Sequence, residues 1–96
     1  MADLDLELTF DEFREWALGQ GADEVFVREW EANHESDYHQ HPFAAKAHVT
    51  HGEMWVNIEG VTRHLTKGDN FELNSHVWHS EKYGPQGATL YIARFN

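Results

Sequence analysis

The chain contains no cysteine, which excludes disulfides, thiolate nucleophiles and thiolate metal sites and leaves His, Asp and Glu as the side chains open to a bound ion. It has only two prolines and no low-complexity stretch, and its 96 residues allow one hydrophobic core and no second. No apolar run approaches the roughly 20 residues of a membrane span, and Met1-Ala2-Asp3-Leu4-Asp5 lacks the basic start and apolar centre of a signal peptide. The expected setting is therefore the cytoplasm, with no membrane partner. Basic side chains are scarce too. Seven Lys and Arg stand against seventeen Asp and Glu, a formal charge of −10 that repels phosphate backbones and disfavours nucleic acid as a partner.

Hydrophobic residues are not scarce: 41% of the chain, with four Trp and six Phe, is enough for a packed interior. Asp3 to Leu8 alternates carboxylates with leucines, the pattern of a half-buried edge strand. Thr9 followed by Glu12 forms a capping box, with Leu8 and Phe13 placed for a hydrophobic staple, and predicts a helix from about Phe10 to Leu18 that exits at Gly19 and Gly21. From Val25 the period changes to two. Short β-rich runs cover about 25–31, 43–50, 53–58, 62–66, 70–73, 78–83 and 88–95, separated by turns at Glu59-Gly60, Lys67-Gly68-Asp69 and Tyr83 to Gly87. Such short antiparallel strands must close on themselves to hide their edges, so the fold class is all-β: one domain over residues 1–96, with strand and helix over 3–19 and a small barrel over 24–96.

Eight histidines are many for this length. In an extended segment residues two apart share a face, so His39, His41, Phe43, Ala45, Ala47 and Val49 form one side, and that side is apolar and therefore interior. Two imidazoles followed by two alanines leave empty volume beside groups able to hold an ion. Buried imidazoles without partners are costly, and a metal would supply the partner; two ligands do not hold an ion, and His79, in a β-rich run with Val77, Glu81 and Tyr83, is the third candidate. The alternative is that these rings bond only backbone and water. Glu81 shares His79's face and is a candidate general base, metal ligand or orienting group, or else a surface carboxylate. Trp55, Asn57, Phe43 and Tyr83 are candidates for the wall of a small-molecule pocket with Ala45 and Ala47, although aromatics in a short chain also serve as core. By the same parity His48 lies on the outer face.

These residues resemble the two motifs of the cupin superfamily, over residues 33–83. The family's first motif runs Gly, five residues, His-x-His, three or four residues, Glu, six residues and Gly; here the matching positions are Asn33, His39-Gln40-His41, Ala45 or Lys46, and Gly52. The second runs Gly, five residues, Pro-x-Gly-x-x-His, three residues and Asn; here it is Gly68, Asn74-Ser75-His76-Val77-Trp78-His79, and Tyr83. Both histidines of the first motif and the histidine of the second are present. The metal-binding Glu is not, and His76 replaces a glycine.

The resemblance implies a jelly-roll barrel with a divalent ion, one of Fe, Mn, Zn, Ni or Cu, on a set reduced to His39, His41 and His79. It implies a homodimer and a small-molecule ligand or substrate. Two functions follow: a metal-dependent enzyme of dioxygenase or isomerase type with Glu81 as its catalytic residue, or a non-catalytic small-molecule binding or sensing barrel, with or without metal.

Overall fold

A computed structural model of the protein describes residues 8–96, so the alternating N-terminal run lies outside the described residues except for Leu8. The helix α1 (Phe10–Gly19) begins where the capping box predicts: Glu12 N–H donates to Thr9 Oγ1 at 3.1 Å, and Thr9 N–H donates to the Glu12 carboxylate at 2.9 Å. It buries Phe13 and Ala17 against Ala93, with Leu8, Val25, Tyr91 and Phe95 around them. Among the described residues no helix is long and apolar enough to cross a membrane.

Five antiparallel strands follow: β1 (Glu24–Trp30), β2 (Ala44–Ile58), β3 (Val61–Thr66), β4 (Asn70–Leu73) and β5 (His79–Phe95). Two pairs of expected short strands are thus two long strands, β2 and β5, which pair with each other through most of their length. The segment from Tyr83 to Gly87, expected as a turn, is part of β5. Met54 pairs with Tyr83 and Gly52 with Ala88, so Glu53 alone faces the stretch Gly84 to Gly87, and the surplus residues form a bulge. The close approach is possible only for glycine: a Cβ on Gly87 would collide with the Trp30 carbonyl oxygen, and one on Gly52 with the Gly87 carbonyl oxygen. The Glu59-Gly60 hairpin has φ of 50° and 90°, the two positive values that a tight two-residue hairpin of the primed type requires.

Bulges bend both long strands, so each belongs to two layers. The first half of β2 pairs with β4 and with the second half of β5, which carries β1; the second half of β2 pairs with β3 and the first half of β5. Ala47, Val49, Phe71, Leu73, Ala88 and Leu90 from the first layer meet Met54, Val56, Leu65 and Tyr83 from the second in one core. The bulges also reverse parity. Odd residues of β2 point inward up to Val49, and even ones, Met54 and Val56, point inward after the bulge; on β5, His79 and Tyr83 are buried before the bulge and Ala88 and Leu90 after it. Tyr91, Ala93 and Phe95 consequently face α1.

Candidate metal centre

The segment carrying His39 and His41 is tied to the start of β5. The N–H groups of His39 and His79 each donate to the other's carbonyl at 2.8 Å, and His76 N–H donates to the His41 carbonyl at 2.6 Å. All four glycine positions of the two motifs have left-handed backbone, whether or not glycine occupies them: φ is 59° at Asn33, 75° at Gly52, 97° at Gly68 and 64° at His76. Asn tolerates this region and His less so, which costs roughly 1–2 kcal/mol at His76.

The ligating atoms of His39, His41 and His79 all lie within 4.8 Å of one another. Ring centroids are 4.3 Å apart for His39 and His79, 4.9 Å for His39 and His41, and 5.0 Å for His41 and His79. His39 Nδ1 lies 2.5 Å from the Asp37 carbonyl oxygen and His79 Nδ1 3.0 Å from the Val77 carbonyl oxygen. Carbonyls only accept, so each Nδ1 carries the proton and each Nε2 presents a lone pair. This is how metal-ligating histidines are held. His79 is 1% exposed, and among the described residues its Nε2 has no hydrogen-bond partner. The Glu81 carboxylate is 3.9 Å from it, too far for a hydrogen bond. An orphaned buried nitrogen costs about 1–3 kcal/mol, and an ion among the three rings would remove that cost, so the donor set fits a metal of the type His ligands favour. Burial lowers the pKa of His41, and His79, His39 and Arg94 lower it further, which keeps the ring neutral and able to ligate.

His39 and His41 open onto a cavity of about 340 Å³, with His79 buried behind them. Phe43, Ala45, Ala47, Glu81 and Tyr83 line it. Tyr83 O–H donates to Glu81 Oε1 at 3.1 Å, and Glu81 N–H donates to Ser36 Oγ at 2.9 Å. Burial, and next the Glu81 carboxylate, push the Tyr83 phenol far above its ordinary pKa, so it is a neutral donor. Trp55 and Asn57 do not belong to the cavity. The β2 bulges turn them to the outer face, where Trp55 stacks on His64 at 4.7 Å and the Asn57 side chain bridges the hairpin to Gly60 N–H and Thr62 Oγ1. Lys46 is on the outside as well, with its Nζ 5.4 Å from the Trp16 ring centroid, so Ala45 is the inward residue at the family's Glu position. His48 bonds Asn70 on the side of α1.

Sequence reasoning passed over Arg28, Trp30 and Arg94, which also line the cavity. Their signal was the alternation used for the histidines: Arg28 lies between Phe26 and Trp30 on one face of β1, and Arg94 continues the face of Leu90 and Ile92 on β5. The Arg28 guanidinium lies 4.2 Å from the Trp30 ring centroid and that of Arg94 3.8 Å from the Phe43 centroid.

The fold matches solved cupin structures. An RmlC-like cupin from Shewanella frigidimarina superposes with a TM-score of 0.64 at 31% identity, over 75% of this chain and 66% of that one. A cupin-like protein from Thermotoga maritima gives 0.63 at 26%, over 75% and 55%. KdgF from Halomonas sp. gives 0.65 at 22% identity, over 75% and 67%, a likeness of fold. The chain thus spans about two thirds or less of these relatives' length. No curated protein sequence matches it. The profile of the AraC-like ligand-binding domain matches residues 22–96, the whole of the barrel and none of α1. With that match, the two motifs and the barrel geometry together, the chain belongs to the AraC-like ligand-binding domain family within the cupin superfamily.

Proposed function

We propose that the protein is a metal-dependent small-molecule cupin in which the Nε2 atoms of His39, His41 and His79 hold one divalent ion. The observation that carries this reading is the buried, unpartnered His79 Nε2 aimed at two other histidines whose spacing suits a shared ion. A divalent ion there supplies Lewis-acid polarisation of a coordinated oxygen. The protein's own residues supply the rest. Phe43, Ala45, Ala47 and Tyr83 form a mainly apolar wall against which a ligand of modest size packs. Glu81, with Tyr83 O–H and Ser36 fixing its carboxylate and backbone, is placed to take a proton from such a ligand, which makes it the catalytic residue of an enzyme of dioxygenase or isomerase type. A non-catalytic binding barrel is the second reading, favoured by the family's ligand-binding description. The homodimer implied by the cupin resemblance belongs to both.

The test is metal analysis of protein purified without a His tag after loading with Zn, Fe, Mn, Ni or Cu. Occupancy near one equivalent is expected, with loss in a His39→Ala/His79→Ala variant; less than about half an equivalent under replete conditions overturns the reading. Turnover that disappears in Glu81→Gln while metal content persists favours the enzyme over the binding barrel.

A further inference from the structure

We infer that the cavity's ligand carries a carboxylate, and that Arg94 binds it at the place where the cupin motif would have put a carboxylate of the protein's own. Ala45 occupies the motif's Glu position and is directly paired with Arg94 across the β2–β5 ladder. Truncation to alanine therefore leaves two things together: space in the cavity wall and a guanidinium facing it. Arg94 is held in place by its stacking on Phe43 and by Glu24, whose Oε1 is 3.3 Å from Nη1. Its Nε is buried and, among the described residues, has no hydrogen-bond partner. A guanidinium offers its donors as a fork that matches a carboxylate.

The charge pattern points the same way. The chain has a formal charge of −10, yet two of its seven basic residues, Arg28 and Arg94, line this one cavity. Glu81 is the one carboxylate among the cavity's lining residues and Glu24 pairs with Arg94 from outside the lining, so with a divalent ion added these two carboxylates still leave positive charge in excess. An anionic ligand restores balance. The inference deepens the metal-site proposal, since an ion would anchor a second group of the same ligand, but the Arg94 contact does not need the ion.

Succinate and its neutral diamide, succinamide, are the probes, titrated by calorimetry into metal-free and Zn-loaded protein. Succinate is expected to bind about tenfold or more tightly than succinamide in both forms, and Arg94→Gln is expected to erase that preference. Ala45→Glu, confirmed folded by its melting transition, is expected to lower succinate affinity about tenfold, because the new carboxylate occupies Arg94 internally. Equal binding of the two probes, no binding of either at millimolar concentration, or a preference that survives Arg94→Gln overturns the inference. Full zinc occupancy without any preference would sink this inference alone. An Arg94-dependent preference in protein that takes up no zinc would sink the metal reading and leave this one standing.

Discussion

On the proposed function, a single nitrogen atom, His79 Nε2, carries the difference between a metal centre and a cluster of structural histidines. Its ring is fixed through Nδ1 and its other end has nowhere to donate or accept among the described residues. Zinc at about 1,000 times its dissociation constant should stabilise the protein by about 4 kcal/mol, a rise in Tm of at least roughly 15 °C for a domain this small. Differential scanning calorimetry of His79→Ala should show no such rise. His41 makes a second prediction. Its folded-state pKa is lowered below the ordinary 6.5, so in acid the unfolded chain binds the proton more readily than the native one. Its stabilising contribution is present above pH 6.5 and is lost as pH falls through the folded value. Metal-free protein in a chelator should melt at a lower temperature at pH 5.5 than at 7.5, and His41→Gln should flatten that dependence. His41 was legible in the sequence because the alternation from His39 to Val49 runs without interruption, and His79 because of its own β-rich run and its place in the second motif.

At the scale of elements, the bulges position the site. Gly87 has φ of 70° and no room for a Cβ beside the Trp30 carbonyl, so Gly87→Ala should cost at least about 2 kcal/mol in urea denaturation. The loop before β5 makes the opposite prediction. His76 has φ of 64°, and glycine there relieves a left-handed backbone at the price of a looser unfolded chain, for a net gain of about 0.5–1 kcal/mol in His76→Gly. That glycine is what the motif would have in place of His76, so the substitution also tests the alignment. The turn residues were legible as punctuation. The role of Gly84 to Gly87 was not, because a glycine-proline stretch looks the same in a loop and in a strand that must bend.

For the molecule as a whole, one long antiparallel pair, β2 with β5, organises both layers, and α1 covers the outer face of the first. Val61 is 65% exposed on β3 at one end of the sheet order and Val27 44% exposed on β1 at the other. Among the described residues these two strand edges are unpaired and carry apolar side chains, and a second copy of the chain is the cover expected from the homodimer proposal. Sedimentation equilibrium should give twice the 11.2 kDa chain mass; a single-chain mass across micromolar concentrations would end the dimer reading.

The sequence by itself determined what depends on neighbours along the chain: the capped start of α1, the hairpin at Glu59-Gly60, the shared face of His39 and His41, and the motif spacing that singles out His79. Those features follow from bond geometry and from the fixed twofold period of an extended backbone. Only the tertiary structure decided which residues face the cavity beyond a bulge. Trp55 and Asn57 turned outward because the surplus residues that reset the period are set by register with the partner strand, and no window of local sequence contains that register; the same register set Arg94 opposite Ala45.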